Sequence, residues 1–275
     1  MNKYIIKSAL CYSFMLIALI TVMSSCEYDN YDEPNVTLSG VLMNGDKPLD
    51  TKRGIAFKLY QYREDGFVDA GTRSLDVYVD QEGQFKALLF PGRYKMVVNE
   101  NNGGKEDPDI STLYTWSDFP KNESNGNLDT LYFTLDRSKK IDFQVKPYYD
   151  FENLEAFYRN DSIVVRFSVS KNIESDDTQL SLRKINLFVG PTVHINRETA
   201  LYASLPTSML KPGVPIEFKY SLEHYYKSTG SYVNNFRTYA YIRLGLALRL
   251  DPTVYSYSKV IKVEGIPTET INKFK

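Results

Sequence analysis

A single cysteine, Cys26, stands where the sequence could support covalent lipid attachment. It follows two serines and an apolar stretch from Ala9 to Met23, and two lysines close to Met1 supply the basic start of a signal peptide. The apolar stretch is shorter than the roughly 20 residues that a comfortable membrane span needs. We therefore expect residues 1–25 to be removed as a lipoprotein signal peptide and the Cys26 thiol to carry the lipid. An ordinary secretory peptide that merely contains a cysteine is the alternative.

The cysteine count and the charge restrict what the mature chain can do. The other cysteine, Cys11, lies in the segment to be removed, so no intramolecular disulfide and no cysteine-based zinc or iron–sulfur site can form. The chain has 33 Lys and Arg against 34 Asp and Glu, with a formal net charge of −1. Nucleic-acid binding would call for a basic stripe, which the sequence lacks. We expect contact with the membrane through the lipid and no nucleic-acid partner.

Residue types suited to catalysis are few. The two histidines, His194 and His224, belong to no His-Glu-x-x-His pair, and there is no Gly-x-Ser-x-Gly elbow or phosphate-binding glycine loop. Two carboxylates about 5 to 10 Å apart could hydrolyse glycans. Acidic clusters such as Asp176-Asp177 and residues 106–109 are, however, typical of solvated turns. Residues 106–109 could alternatively supply oxygens to calcium, and Asp76, Asp80 and Glu82 form a weaker oxygen cluster whose spacing is not that of an EF-hand loop. We expect no enzyme, no metal and no cofactor, with a glycan-active hydrolase as a less favoured alternative.

Aromatic residues offer a binding surface instead. The chain has 22 Tyr, 15 Phe and one Trp, and a tyrosine ring with its polar tip suits stacking on sugar faces or contact with a partner protein. Most tyrosines are expected simply to cover strands. Where the periodicity lapses, we predict glycan or partner contacts at Tyr114, Trp116, Tyr225, Tyr226 and Tyr232. For Trp116, a core position at the end of a strand is the slightly favoured alternative.

The elements that would carry these residues are strands. From Val36 onward apolar residues recur with period two, and turn sequences such as Asn44-Gly45 and Pro91-Gly92 separate the runs. The pattern predicts an all-β protein with two tandem antiparallel β-sandwich domains, residues 36–147 and 148–275, divided near Pro147. One short helix is predicted at residues 152–158.

Short polar sequences bear on location and modification. Residues 26–35 are predicted to be a tether, since positions 27–35 hold four acids and no base. Acids at this place resemble the signal that sends lipoproteins of Bacteroidota to the outer face of the outer membrane, although a polar linker can be acidic by chance. Asp129-Thr130-Leu131 and Asp161-Ser162-Ile163 resemble O-glycosylation acceptors of these bacteria and fit equally well as strand beginnings.

The first predicted domain resembles a known type of sandwich. Pro91-Gly92 presets a tight turn, after which Tyr94 should point back into the core. The segments Val36–Leu42, Asp80–Phe85 and Leu88–Met96 together resemble the transthyretin-like, carboxypeptidase-regulatory type of β-sandwich.

Over the whole mature chain, the sequence resembles the DUF3823 family of Bacteroidota lipoproteins. The resemblance is carried by Ile185–Val189, Tyr241–Leu246 and Tyr255–Ile261, taken with Val145–Tyr148 and the lipoprotein start. The second predicted domain, residues 148–275, is expected to be an immunoglobulin-like β-sandwich. The resemblance implies a noncatalytic surface lipoprotein that assists polysaccharide utilisation, by binding glycan or by docking to a transporter complex of the starch-utilisation type. It supplies no site residues. Tandem transthyretin-like domains also resemble pilus-anchor lipoproteins, so a structural or adhesive role is the alternative.

Overall fold

The structure is a computed structural model that describes residues 33–65, 73–98, 113–227 and 237–274. These residues form strands almost throughout, with a few single helical turns and two short α-helices, α1 (Leu222–Lys227) and α2 (Thr268–Lys273). The predicted all-β class is therefore confirmed. Within the described ranges, no helix is long and apolar enough to cross a membrane.

The first half folds around one extended sheet. Its strands are β1 (Val36–Asn44), β2 (Lys47–Pro48), β3 (Gly54–Gln61), β4 (Leu75–Val79), β5 (Gln84–Leu89), β6 (Gly92–Val98), β7 (Tyr114–Trp116), β8 (Leu131–Leu135), β9 (Lys139–Lys140) and β10 (Phe143–Pro147). The strand order is β7-β10-β1-β5-β4-β3-β6-β8, and β2 and β9 also pair with β1. The Phe57 ring on β3 lies 5.2 Å from the Phe143 ring on β10. The sheet therefore folds over so that its two ends face each other across a shared core.

Strand β1 joins the two faces of this fold. Its residues 36–41 pair antiparallel with β5, while Leu38 and Ser39 pair parallel with β9, and Leu42 and Met43 pair parallel with β10. These two parallel pairs depart from the purely antiparallel pattern expected from sequence. Because β1 has neighbours on both sides, it is not an unpaired sheet edge.

At Pro91-Gly92, where a tight turn is predicted, the chain bends between β5 and β6, and these two strands do not pair with each other. Gly92 has a φ of 152°, and β6 begins there. Tyr94 is fully buried, and its hydroxyl donates a hydrogen bond of 2.7 Å to the Phe90 carbonyl. The prediction that Tyr94 points back into the core is confirmed.

The second half contains two sheets. Its strands are β11 (Tyr149–Arg159), β12 (Ser162–Lys171), β13 (Leu182–Gly190), β14 (Leu201–Ser204), β15 (Ile216–Ser221), β16 (Ala240–Leu248), β17 (Ser256–Tyr257) and β18 (Ile261–Val263). One sheet has the order β11-β12-β15, and the other has the order β14-β13-β16-β17 with β18 also paired to β16. Every pair in both sheets is antiparallel. Apolar side chains of β12 and of β13 and β16 belong to one buried core.

The helix predicted at residues 152–158 is wrong, because this segment lies inside β11. The pairing of β11 with β12 shifts register between Glu152 and Glu155, and Asn153 adopts a φ of 53° within this bulge. A bulge inserts an extra residue and interrupts the alternation of side chains. The bulge therefore explains why the apolar residues of this strand do not alternate with period two.

The predicted domain boundary coincides with a change of sheet. Strand β10 ends at Pro147 and β11 begins at Tyr149, and no sheet in the described residues includes strands from both sides of this point. The two halves nevertheless share one core, and residues Val36–Lys275 form one compact unit. The assignment of 36–147 and 148–275 as separate domains stays a prediction. The signal peptide and most of the tether, residues 1–32, lie outside the described residues.

Candidate functional site

A groove of about 630 Å³ lies on the outer face of β1, β4 and β5. Its far wall comes from the second half of the chain, through the exposed residues Val193 and His194. We call it the sheet-face groove. Its lining includes Ser39, Arg53, Tyr78, Asp80, Gln81, Glu82, Lys86, Lys140, Val193 and His194.

The side chains of the groove follow from strand alternation. Val77 and Val79 of β4 are buried in the core, so Tyr78 between them points outward and is 54% exposed. In the same way, Phe85 of β5 is buried and its neighbour Lys86 is exposed. The sequence therefore carried a signal for Tyr78 and Lys86, namely their place on the polar side of a half-buried strand.

Strand register brings four polar or aromatic side chains into one row. Ser39 pairs with Lys86 on one side and with Lys140 on the other. Val79 pairs with Phe85, so the next antiparallel pair along the ladder sets Tyr78 beside Lys86. The row Lys140–Ser39–Lys86–Tyr78 crosses three strand spacings, roughly 14 Å in all. We call it the groove row.

The groove offers more available cations than available acids. Arg53 and Lys86 are exposed and form no ion pair with any residue that the structure describes. Lys140 lies 2.9 Å from an Asp142 carboxylate oxygen. The Asp80 carboxylate accepts hydrogen bonds from the backbone N–H groups of residues 82 and 84, at 3.0 and 2.8 Å. The Asp80 carboxylate is therefore occupied by hydrogen bonds within its own turn. The other acid that lines the groove is Glu82.

Buried contacts at the junction of the two halves hold the far wall in place. Arg243 on β16 is fully buried; its Nη2 donates to the Thr51 carbonyl and its Nε to the Ser258 carbonyl, both at 2.7 Å. When the Gln81 amide is oriented to satisfy both of its polar atoms, it accepts from Arg243 Nη1 at 3.2 Å and donates to the Val193 carbonyl at 3.3 Å. Arg243 therefore positions the loop that closes the groove.

Burial at the junction shifts the pKa values of two side chains, Asp50 and Arg243. The pKa of Asp50 is raised to about 6, chiefly by burial; the Arg243 guanidinium lowers the pKa, and nearby Asp150 raises it. Burial likewise lowers the pKa of Arg243, with Asp50 opposing that shift. Three more contacts cross the junction: Lys52 with Glu198 at 3.0 Å, Asn44 with Asp150 at 2.9 Å, and Tyr114 with Ser256 at 3.4 Å.

Two predicted contacts, Tyr114 and Trp116, do not form a surface platform. They lie on β7, which pairs with β10, and they are only 5% and 1% exposed. The Trp116 ring packs 5.8 Å from the Phe57 and Phe119 rings and 6.2 Å from Phe143. The prediction of exposed contacts here is wrong, and the alternative of a core position for Trp116 is confirmed.

In the second predicted cluster, the two members that the structure describes, Tyr225 and Tyr226, do not form an exposed binding surface. Tyr225 on α1 is fully buried, which contradicts its predicted role. Tyr226 is half-buried, and its hydroxyl donates to the Arg237 carbonyl at 2.9 Å. Tyr232 and the predicted lipidation site Cys26 lie outside the described residues.

A glycan hydrolase would need two carboxyl groups that converge in a cleft, with a raised pKa on one of them. Glu217 lines a smaller groove of about 390 Å³ on the β11-β12-β15 sheet, but hydrogen bonding from Arg166 lowers its pKa. Asp50 has the raised pKa, whereas its neighbour Asp150 accepts from Asn44 and from the Phe151 N–H. Neither Asp50 nor Asp150 lines the sheet-face groove.

Three acids near the groove, Asp76, Asp80 and Glu82, make up the weak oxygen cluster seen in the sequence. In the structure Asp80 is used by its own turn. Across the described ranges, no group of three or more His, Cys, Asp or Glu residues could hold an ion.

The first half of the chain matches a family model described as the N-terminal domain of a protein of unknown function, DUF3823. This match covers residues 36–146. The family resemblance seen in the sequence is therefore confirmed over this range. No functionally curated protein is detectably similar to the chain.

Solved structures of DUF3823 proteins share the fold. A protein from Bacteroides ovatus ATCC 8483 is 22% identical with a TM-score of 0.59, and one from Parabacteroides merdae ATCC 43184 is 18% identical with a TM-score of 0.60; each comparison covers 85% of this chain and 100% of the other. A third structure, from Bacteroides uniformis ATCC 8492, is described as a "putative carbohydrate binding protein". It is 15% identical with a TM-score of 0.56, over 84% of this chain and 99% of the other. At these identities the likeness shows a common fold.

Proposed function

We propose that this protein is a noncatalytic accessory of polysaccharide utilisation that binds glycan in the sheet-face groove. The observation that carries the proposal is Tyr78, a half-exposed ring set in a row of hydrogen-bonding side chains and enclosed by a wall from the second half. A sugar ring presents an apolar face and polar edges. Tyr78 could cover the face while Ser39 and Lys86 bind the hydroxyls at its edge.

The likeness to other proteins supports the same proposal. Residues 36–146 match the model of a family whose members share this fold, and the protein of that fold from Bacteroides uniformis is described in terms of carbohydrate binding. A fold alone does not imply a function, because function depends on the side chains at a site. The groove row supplies such side chains in this chain.

The place of action is part of the proposal. A lipid on Cys26 would hold the protein on the outer membrane, and the acidic tether would favour the face exposed to the medium, where polysaccharides are captured. The tether has nine residues between Cys26 and the first strand, so it could span at most about 30 Å. The groove would thus work close to the membrane, beside a transporter that imports the captured glycan.

Polysaccharide binding by the full chain, purified in detergent, tests the proposal through affinity electrophoresis on a panel of plant, host and microbial polysaccharides. We expect at least one to retard the protein, and Tyr78→Ala to weaken this binding about tenfold, the effect of losing one stacked ring. Tyr132→Ala is the matched control, because Tyr132 on β8 is 61% exposed and does not line the groove. Equal effects of the two variants would reject the groove as the site. Absence of binding to every polysaccharide would reject glycan binding and favour docking to a transporter complex.

A further inference from the structure

We propose that the glycan bound in the sheet-face groove is acidic, carrying a carboxylate or a sulfate group that pairs with Lys86. This inference rests on the proposed function and deepens it by naming the chemical class of the ligand. It is carried by the position of Lys86 in the groove row, between Ser39 and the Tyr78 ring.

The first step concerns the distance between ring and charge. Tyr78 and Lys86 are neighbours on adjacent strands, so their backbones are one strand spacing, about 4.8 Å, apart. Both side chains point to the same face of the sheet. A sugar ring on Tyr78 would therefore place a substituent at its rim within reach of the Lys86 ammonium. Substituents at that position are hydroxyls in neutral sugars and an anionic group in uronic acids or sulfated sugars.

The second step concerns which charges are available. Within the described part of the chain, Lys86 and Arg53 have no ion-pair partner, and both line the groove. The acid nearest to Arg53 along the ladder is Asp80, since Gly54 pairs with Val79, and the Asp80 carboxylate already accepts two backbone N–H groups. Two exposed cations that line the same groove as Tyr78 favour an anionic ligand and disfavour a cationic one.

The third step concerns strength. An exposed ion pair adds little free energy, but it discriminates between charged and uncharged ligands that are otherwise alike. The Glu82 carboxylate also lines the groove and would repel an anionic group placed beside it. The binding position is therefore the Tyr78–Lys86 part of the row, and charge at this position selects among glycans whose rings all stack on Tyr78.

Two pairs of polysaccharides, matched except for charge, test the inference. The carboxylate pair is polygalacturonate with its fully methyl-esterified form, and the sulfate pair is dextran sulfate with dextran. We expect the full chain to bind the acidic member of at least one pair more tightly, and Lys86→Gln to weaken that binding about fivefold at low ionic strength. Added salt should reduce the difference, because it screens exposed charges. Lys86→Gln should weaken binding of the neutral member less than binding of the acidic member, because a glutamine amide still hydrogen-bonds hydroxyls but carries no charge.

Lys211→Gln is the matched control, since Lys211 is exposed in a turn away from the groove. If both lysine variants weaken acidic binding equally, the attraction is general to the surface and the inference fails. If Tyr78→Ala abolishes glycan binding but Lys86→Gln has no effect, the inference fails while the proposed function stands. If Tyr78→Ala and Tyr132→Ala bind every polysaccharide alike, the proposed function fails and the inference with it.

Discussion

At Arg243 the chain buries a full positive charge, which is costly unless the guanidinium finds acceptors. The carbonyls of Thr51 and Ser258 supply two of them, and the Tyr257 ring lies 4.7 Å from the guanidinium carbon. Thr51 belongs to the first half and Ser258 to the second. The guanidinium therefore has both carbonyl acceptors only when the two halves are in contact. Through the Gln81 amide, it also connects the first half to the groove wall at Val193.

Asp50 makes the stability of this junction dependent on pH. Its pKa is about 6 in the folded chain against 3.8 for an unperturbed carboxyl, so the folded state binds the proton more tightly than the unfolded state does. Stability from this group is therefore present at low pH and is lost as the pH rises from about 4 through 6. We expect Asp50→Asn to stabilise the protein relative to wild type by about 1–2 kcal/mol at pH 7, after discounting the shift for partial solvent exposure, and to leave it nearly unchanged at pH 4.

Urea denaturation of wild type and Asp50→Asn at several pH values between 4 and 7 measures this difference. Asp136→Asn corrects for the general effect of removing one acid, because Asp136 is an exposed aspartate just after β8. A gap between wild type and Asp50→Asn that is the same at every pH would show that Asp50 does not titrate in this way.

At the scale of elements, β1 depends on a glycine where it packs most closely. A Cβ on Gly40 would lie 1.8 Å from the Ile141 carbonyl oxygen and 2.5 Å from the Phe85 ring. The backbone oxygen cannot move aside without shifting the chain that leads into β10. We expect Gly40→Ala to lower the free energy of unfolding by about 3 kcal/mol, at the upper end for overpacked sites.

Gly45→Ala separates this clash from the backbone cost of replacing a glycine. Gly45 has a φ of 64°, and a Cβ there would meet no atom within 4 Å, so only the cost of the left-handed conformation, about 1 kcal/mol, should appear. Chemical denaturation of both variants gives the comparison. If Gly40→Ala is no less stable than Gly45→Ala, then β1 does not pack as tightly against the Ile141 segment as the structure shows.

The sequence predicted the regular strands well, because one buried face imposes period two on the side chains. Strands such as β3, β6, β10 and β12 carry that alternation and appear where it is seen. It failed at β11, where the Asn153 bulge breaks the period. It also could not show that β1 would pair parallel with β9 and β10, since parallel pairing over two residues leaves no periodic signal.

The site was harder to predict than the fold. Lapsed periodicity predicts exposed aromatic residues, but Trp116 lies on a strand of only three residues, which is too short to show alternation. Tyr78 lies in a regular strand, where alternation alone does not distinguish a binding residue from one that simply covers the sheet. The wall formed by Val193 and His194 depends on contacts between residues far apart in the chain, through Arg243 and Gln81, and no local pattern encodes it.

For the whole molecule, the groove unites three properties that come from different parts of the chain. The first half provides the groove row, the second half provides a wall, and Arg243 holds the two together. Either half alone would leave the row on an open sheet face. Binding should therefore depend on the junction as well as on Tyr78 and Lys86, and an anchored protein would present one rigid groove rather than two independent surfaces.

Anchoring itself depends on Cys26. If the thiol carries the lipid, full-length protein expressed in a Bacteroidota host should incorporate an alkyne-labelled fatty acid and sediment with the outer membrane, because each buried CH₂ contributes about 0.8 kcal/mol to membrane binding. Cys26→Ala should lose the label and the sedimentation, whereas Cys11→Ala, in the segment expected to be removed, should keep both.

Protease treatment of intact cells then tests which face of the membrane carries the protein. If the chain is on the cell surface, the protease should digest the wild-type protein. Labelling of Cys26→Ala would contradict lipidation at Cys26. Protection of the wild-type protein until the cells are broken would contradict surface exposure.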